Sequence, residues 1–353
     1  MNMKIKWLRE KLNGLNLDGM IISNPVNIRY LTGINAEGTL VITRKENVYI
    51  TDGRYIEIAQ TAVTIDDEIL ILDSRTMTSG DYENYFIFCE NVGFEEKYVT
   101  YENYKKLMHM YKINNLVETE GILENQRMIK DEEEISKIKK ACEITDNCFE
   151  YLQKTIKKGM TEKEIAFMIQ KYFLLNRAEK LAFDSIVASG ENSSLPHAEP
   201  TDRKIESGDI ITIDFGCVYE GYHSDMTRTI FVDYVKDIYK PVYDLVLKNQ
   251  MQTMKELKDG VAIKMFSKLV ENDFKLKGYD MIHGLGHGVG LNIHELPVLN
   301  TKSEFMLKEN MVVTNEPGIY IPGDFGVRIE DTVQIAKYSS IQLTNSGKNY
   351  III

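Results

Sequence analysis

Two stretches of this sequence each set a pair of carboxylic acids on either side of a turn, and the chemistry such pairs offer is metal binding. In IITIDFG, Ile211, Ile213 and Phe215 alternate along one face of a predicted strand, leaving Thr212, Asp214 and Gly216 on the other. With a turn near Tyr219-Glu220-Gly221 the chain folds back, and Asp214 comes opposite Asp225 or within a residue or two of it. In EPGIYIPGDFGVRIE the Pro322-Gly323-Asp324 turn is stronger, and Gly323 is the midpoint between Glu316 and Glu330, so these acids face each other across the hairpin. Like charges opposed on neighbouring strands destabilise a sheet, so two such pairs require something positive held between them. The competing reading makes individual acids solvated or ion-paired, with Arg228 and Arg328 as nearby partners. It does not account for both hairpins together with the histidines between them.

Those histidines lie in HGLGHGVGLNIHELP, where His283, His287 and His294 are three of the six in the chain. Glycines at 284, 286, 288 and 290 remove side chains and let backbone and imidazoles crowd a site. A phosphate loop is the other reading of such glycines, but the Walker Lys-Ser/Thr pair is absent and the GxGxxG spacing is not met. Four carboxylates and an imidazole make an oxygen-rich donor set suited to Mn²⁺ or Co²⁺, with Fe²⁺ or Zn²⁺ also acceptable. Five protein ligands on one ion would leave no open position, whereas two ions sharing carboxylates leave room for water. Ions about 3.5–4 Å apart in such sites make bound water a nucleophile near neutral pH, so hydrolysis is the implied chemistry.

The elements that must position these residues follow from the pattern along the chain. From residue 1 to about 126, the runs GMIIS, TLVIT, NVYIT and EILIL alternate with helical stretches such as DGRYIEIAQTAV and YENYKKLMHMYK, an α/β pattern. Acidic residues then crowd the first turn of RMIKDEEEISKIKK, and lysines follow at i+4 spacing, so a second domain is expected over 127–353. Thr161 and Glu164 form a capping-box start to another helix. Strand-like segments after Phe183, a helical stretch from about Val235 to Lys275, and further strands to Ile335 predict an α+β domain with helices on one side of a curved antiparallel sheet.

Composition narrows the function classes. Formal charge is −11, which argues against an electrostatic grip on nucleic acid or on an anionic membrane. The N-terminal residues mix charges into their apolar positions, and no apolar run approaches the roughly 18 residues of a membrane span, so a cytoplasmic protein is expected. Cys89, Cys142, Cys148 and Cys217 form no CxxC pair and read as reduced and structural; Cys217, near the site, has no evident partner base.

At this point the sequence resembles the pita-bread metallopeptidases, specifically the Xaa-Pro peptidases that include aminopeptidase P and prolidase. NPVNIRYLTGINAEGTLVITRKENVYITDGRY looks like the creatinase-type N-terminal domain, and SGENSSLPHAEPTDR, IDFGCVYEGYHSDMTRT, HGLGHGVGLNIHELP, TNEPGIYIPG and GVRIEDT occur in the family's order. The resemblance implies two metal ions: Asp214 chelates one, Asp225 and Glu330 bridge both, and His287 and Glu316 complete the second. It makes Glu316 the general base as well. It places His197 and His294 beside the substrate, adds His283 as a third active-site histidine, and makes Arg328 the group that steadies a metal-binding carboxylate. His223 is read as a surface residue, and His109 as structural.

The resemblance further implies a proline-containing peptide as substrate and a homodimer whose N-terminal domain helps to close the active site. Phe183 and Ile293 are candidate apolar walls for the pyrrolidine ring. Prolidases commonly carry an arginine just after the HExP motif, where it pairs with a dipeptide's carboxylate; here Val298 stands in that place. The expectation is therefore an aminopeptidase P-like enzyme that releases the first residue from longer Xaa-Pro peptides, with prolidase as the alternative. A non-catalytic pita-bread binding module is the reading from another class, and its mark, a lost ligand, is absent.

Overall fold

In the computed structural model, which describes residues 2–63 and 68–353, the chain divides into two units, Met1–Arg127 and Met128–Ile353. The break falls one residue beyond the expected 126/127 boundary. No described helix is long and apolar enough to cross a membrane.

In the first unit the four apolar runs are strands: β1 (Gly19–Ile22), β2 (Thr39–Thr43), β3 (Asn47–Thr51) and β4 (Ile69–Asp73). Two three-residue strands, β5 (Val92–Phe94) and β6 (Leu116–Glu118), are too short to show a period in the sequence. Together they make a mixed sheet in the order β4-β3-β2-β1-β5-β6, antiparallel from β1 to β3 and parallel elsewhere. Helices α1 (Met3–Gly14), α2 (Pro25–Thr32), α3 (Ile56–Ala62), α4 (Ser79–Asn84), α5 (Tyr101–Tyr111) and α6 (Ile122–Arg127) connect them. The bounds of α2 follow from local chemistry: the Asn24 side chain accepts from the Val26 N–H, Pro25 fills the first turn, and Gly33 ends the helix at φ 75°. His109 lies exposed in the last turn of α5.

The second unit opens with α7 (Glu132–Thr155), capped by a box between Asp131 and Glu134, and α8 (Glu162–Leu175), capped by Thr161 and Glu164. Strands β7 (Lys180–Leu181), β8 (Ile186–Ser189), β9 (Ile210–Phe215), β10 (Cys217–Tyr219), β11 (Tyr222–His223) and β12 (Met226–Phe231) follow. The expected helical stretch 235–275 is two helices, α9 (Lys240–Glu256) and α10 (Ile263–Leu276), because the chain turns extended at Leu257 and Gly260 takes φ 79°. The chain ends in β13 (Gly286–Gly288), β14 (Glu295–Leu299), β15 (Val312–Asn315), β16 (Gly318–Ile321), β17 (Phe325–Arg328), β18 (Asp331–Ile335) and β19 (Ser340–Gln342).

Pairing between these named strands is antiparallel, but they form several small sheets, ordered β12-β9-β8, β11-β10-β7, β14-β13-β15-β18-β19 and β16-β17, where one curved sheet was expected. Two apolar clusters hold them. Ile144, Cys148, Phe149 and Leu152 of α7 and Ile165, Ile169 and Phe173 of α8 pack on Ile211, Ile213 and Phe215 of β9. Val246, Phe266, Val270 and Phe274 of α9 and α10 pack with Val313, Val327 and Val333. Full burial of each such side chain contributes about 1.5–3 kcal/mol. The site lies on the faces that these helices leave uncovered: with its odd-numbered residues buried against α7 and α8, β9 must turn Asp214 the other way.

Candidate active site

The first acid hairpin turns at Glu220-Gly221, with φ of 47° and 86°, a two-residue turn of the kind that matches strand twist. Its ladder puts Asp214 opposite Thr227, so Asp225 lies two residues from the directly opposed position. An offset of two preserves the face, and the two carboxylates still converge. The second hairpin keeps one unbroken register: Asn315 with Asp331 and Gly318 with Arg328 bracket Glu316 and Glu330, which stand opposite each other as the midpoint at Gly323 requires.

Four carboxylates and His287 meet where these hairpins cross β13. Ligand atoms of Asp225, His287 and Glu330 lie within 4.8 Å of one another and could hold a metal ion. The His287 Nε2 is 3.5 Å from Asp225 Oδ2 and 3.4 Å from Glu316 Oε1. Its Nδ1 lies 3.1 Å from the Gly288 carbonyl, which can only accept, so the ring proton sits on Nδ1. Burial pushes the imidazole down to about 4, so at neutral pH an unprotonated Nε2 faces two carboxylates. A lone pair aimed at anions fits a cation between them. The Oδ1 of Asp214, buried and without a hydrogen-bond partner, fits the same cation chemistry.

Electrostatics concentrate strain on the same groups. Burial, reinforced by Glu330 and Asp214, holds Asp225 well above the usual carboxylate range. Burial with the Glu316 and Asp214 charges does the same to Glu330. Glu316 is pushed up to about 7 by burial, with the Arg328 charge opposing. Crowded, buried carboxylates that Arg328 offsets only in part therefore define the site.

The side chains around this centre hold one another tightly by hydrogen bonds. Arg328 donates to Asp214 Oδ2 at 2.6 Å and to the Tyr320 hydroxyl at 2.5 Å, while its Nε reaches the Thr227 hydroxyl at 3.0 Å. Thr227 in turn donates to Glu330 Oε2 at 2.7 Å, so Arg328 holds Asp214 directly and Glu330 through Thr227. The Thr314 hydroxyl donates to Glu316 and accepts the His287 N–H. His283 gives its Nδ1 proton to the Gly284 carbonyl and receives the Tyr320 hydroxyl at Nε2, which fixes its neutral form. Arg228, the other candidate partner, is engaged elsewhere: it pairs with buried Asp331 and bonds the Glu330 carbonyl.

A cavity of about 870 Å³ opens over the acids, and its wall includes Phe183, His197, His283, His287, His294, Val298 and Arg328. Ile293 is not part of that wall. His294 lies on no strand; it ends the irregular loop before β14, its ring edge-on to His287 with centroids 4.3 Å apart. Nor is His223 a surface residue. It is buried, with Nδ1 3.0 Å from the Gly290 carbonyl, because the loop after β13 folds over it. Cys217 is buried under the Ala141 carbonyl, and burial raises its thiol to about 11, so it stays unreactive.

Residues 136–337 match the metallopeptidase family M24, and residues 4–129 match the creatinase/prolidase N-terminal domain. The chain belongs to metallopeptidase family M24. Every residue named above in the cavity wall lies inside the M24 match. An Xaa-Pro dipeptidase of Pyrococcus horikoshii is 35% identical, over 99% of this chain and 99% of its own. The solved structure of an Xaa-Pro dipeptidase from Bacillus anthracis superposes with a TM-score of 0.93 at 34% identity, covering 99% of both chains. That of an X-Pro aminopeptidase from Thermotoga maritima gives 0.89 at 31% identity, covering 97% of this chain and 100% of that one. The architecture is thus a creatinase-type N-terminal domain followed by the pita-bread catalytic domain of the M24 family.

Three residues of this M24 site escaped the sequence reading: Tyr320, Thr227 and Thr314. Parity would have found them, since Thr227 stands two residues from Asp225, Thr314 two from Glu316 and Tyr320 four from Glu316 along strands that carry an acid on the same face.

Proposed function

We propose that this chain hydrolyses the bond before proline in Xaa-Pro dipeptides, with Asp214, Asp225, His287, Glu316 and Glu330 holding two divalent ions. The observation that carries the reading is the neutral His287 Nε2 facing Asp225 and Glu316 among four converging carboxylates. The oxygen-rich donor set favours Mn²⁺. When bound, such ions polarise the scissile carbonyl and bring a water to nucleophilic strength near neutral pH. The protein's own residues do the rest. Glu316 is the base that takes the water's proton. Arg328 fixes Asp214 by a charged hydrogen bond, and Thr227 fixes Glu330. His197 and His294, on the cavity wall, flank the substrate and steady its carbonyl or proline nitrogen. Phe183 offers the ring an apolar face.

The dipeptide preference replaces the aminopeptidase P-like expectation, because the relatives from Pyrococcus horikoshii and Bacillus anthracis are named Xaa-Pro dipeptidases. Val298 supports the second reading, a longer peptide. It is paired with His287 across β13 and β14 and lines the cavity, where an arginine would meet a dipeptide carboxylate. Rates of manganese-loaded protein on an Xaa-Pro dipeptide and an Xaa-Pro-Yaa tripeptide decide between them: a strong tripeptide preference overturns the first reading, and inertness toward both overturns the activity. In either case Val298→Arg is expected to raise the dipeptide-to-tripeptide ratio of kcat/KM by roughly 10-fold, the lower end of what a charge-assisted hydrogen bond contributes.

A further inference from the structure

Glu295 follows His294 in the HELP motif yet takes no part in the cavity wall. Its carboxylate is buried with the ammonium of Lys130, 2.8 Å away, and the two side chains are 5% and 1% exposed. Lys130 is itself fixed, its N–H bonded to the Asn310 carbonyl and its ammonium 3.4 Å from the Met128 carbonyl, while the neighbouring Ile129 bridges to Met311. The other carboxylate oxygen of Glu295 accepts the Asn292 N–H at 3.4 Å. A Cβ on Gly290 would come within 2.3 Å of the first, so the loop is folded onto this carboxylate. From the opposite side, His223 bonds the Gly290 carbonyl through its N–H and its Nδ1.

We infer that Lys130 and Glu295 are positioning residues, a buried ion pair that sets the 290–294 loop so that the His294 ring stands against His287 and faces the cavity. A buried ion pair is seldom the most stabilising filling for a site, since desolvation offsets its attraction and apolar residues of like volume often hold the fold as well. What an apolar pair lacks is a fixed acceptor for the loop amide. Geometry, not stability, is then what the charges supply, and the two separate experimentally.

The role in catalysis rests on the peptidase reading above, but the loop geometry does not. The test is Lys130→Met/Glu295→Leu beside the wild type, each manganese-loaded for unfolding temperature, bound metal and kcat on an Xaa-Pro peptide. The ring ¹⁵N resonances of His294, assigned with His294→Gln, are then followed in metal-free protein. Expected are wild-type metal content and unfolding temperature within a few degrees, a displaced or broadened His294 resonance, and kcat lower by at least about 10-fold, the range for lost outer-shell partners. Wild-type kcat with an unmoved His294 resonance overturns the inference, as does a loss of kcat that follows metal loss alone. Should the double variant not fold, Glu295→Gln, which keeps volume but trades one acceptor oxygen for a donor, must still move the His294 resonance; an unmoved one overturns the inference. A wild type inert toward peptides sinks the function while the resonance arm still judges the loop.

Discussion

The two acid-bearing hairpins reach the same end by different geometry. In the Glu316/Glu330 hairpin the acids are directly opposed in one register, and no arginine contacts either carboxylate among the described residues. In the Asp214/Asp225 hairpin they are diagonal, a threonine stands opposite Asp214, and Arg328 pairs with Asp214 at 2.6 Å. Direct opposition leaves the second hairpin with repulsion that a retained proton or a bound metal must relieve. The first hairpin has part of its charge neutralised within the fold. The hairpins are therefore expected to differ most when metal is removed.

The sharpest way to break this comparison is to neutralise one acid in each. Glu330→Gln and Asp214→Asn should both abolish useful metal binding and lower activity by more than the roughly 100-fold that an outer-shell loss costs. Their effects on metal-free stability should have opposite signs. At about pH 8.5, Glu330→Gln removes a buried repulsion and raises the free energy of unfolding. Asp214→Asn leaves the buried Arg328 guanidinium without its anion and costs about 3–5 kcal/mol, as breaking buried pairs does. Denaturant unfolding in chelator measures both, and a shift in the same direction would show that the arginine does not distinguish the hairpins.

Changing pH applies the same contrast without mutation. Asp225, Glu330 and Glu316 titrate above their unfolded values, Glu316 at about 7, so between the two values the native state holds more protons and stability falls as pH rises. His283 and His287, lowered by burial to about 4, and His294, lowered less, act in reverse: the unfolded state holds more protons, and stability rises with pH up to about 6.5. The two trends oppose each other below about 6.5 and only the carboxylates remain above it. Metal-free protein should thus lose stability as pH rises above about 6.5, and Glu316→Gln should flatten the slope near pH 7. Saturating Mn²⁺ should abolish the decline, because binding at 100 times Kd adds about 2.7 kcal/mol and strengthens as ligands deprotonate. A metal-free unfolding temperature that climbs through this range would contradict the buried-repulsion account.

How much of this was legible in the sequence depended on which physical rule set each feature. Parity along a strand is local, so Ile211, Ile213 and Phe215 named the core face, and Asp214 the open one, before any partner was known. The pairing of Glu316 with Glu330 was equally legible, because Gly323 in a Pro-Gly-Asp turn fixes its own midpoint. The first hairpin was less so: its turn places Glu220, not a glycine, at φ 47°, which nothing in the residue type announces, and Asp225 fell two positions from direct opposition. Burial of His223 was not legible at all, because the Gly290 carbonyl that covers it lies 67 residues away. The same holds for Lys130 and Glu295, 165 residues apart. The family resemblance filled roles that spacing could not, yet it supplied no reason for the threonines that donate to Glu330 and Glu316.

Two threonines give the finest comparison, since each hairpin contributes one to the other. Thr227, two residues after Asp225, donates to the Glu330 carboxylate at 2.7 Å. Thr332, two residues after Glu330, donates to the Asp225 backbone carbonyl at 2.8 Å. The positions correspond, but only Thr227 touches a carboxylate, and it also takes the Arg328 Nε proton, so it joins Asp214's cation to Glu330. Thr227→Val should therefore weaken Mn²⁺ binding by about 10–100-fold, as loss of an outer-shell partner does, and more than it lowers stability. Thr332→Val should do the reverse, with metal affinity within a few-fold of wild type and about 1–3 kcal/mol of stability lost from an unsatisfied buried carbonyl. Titration calorimetry with Mn²⁺ beside denaturant unfolding separates the two. Equal losses of affinity would mean that the hairpins hold their ions through backbone placement alone, and that the hydroxyl on Glu330 adds nothing beyond what the Thr332 bond to the Asp225 backbone already fixes.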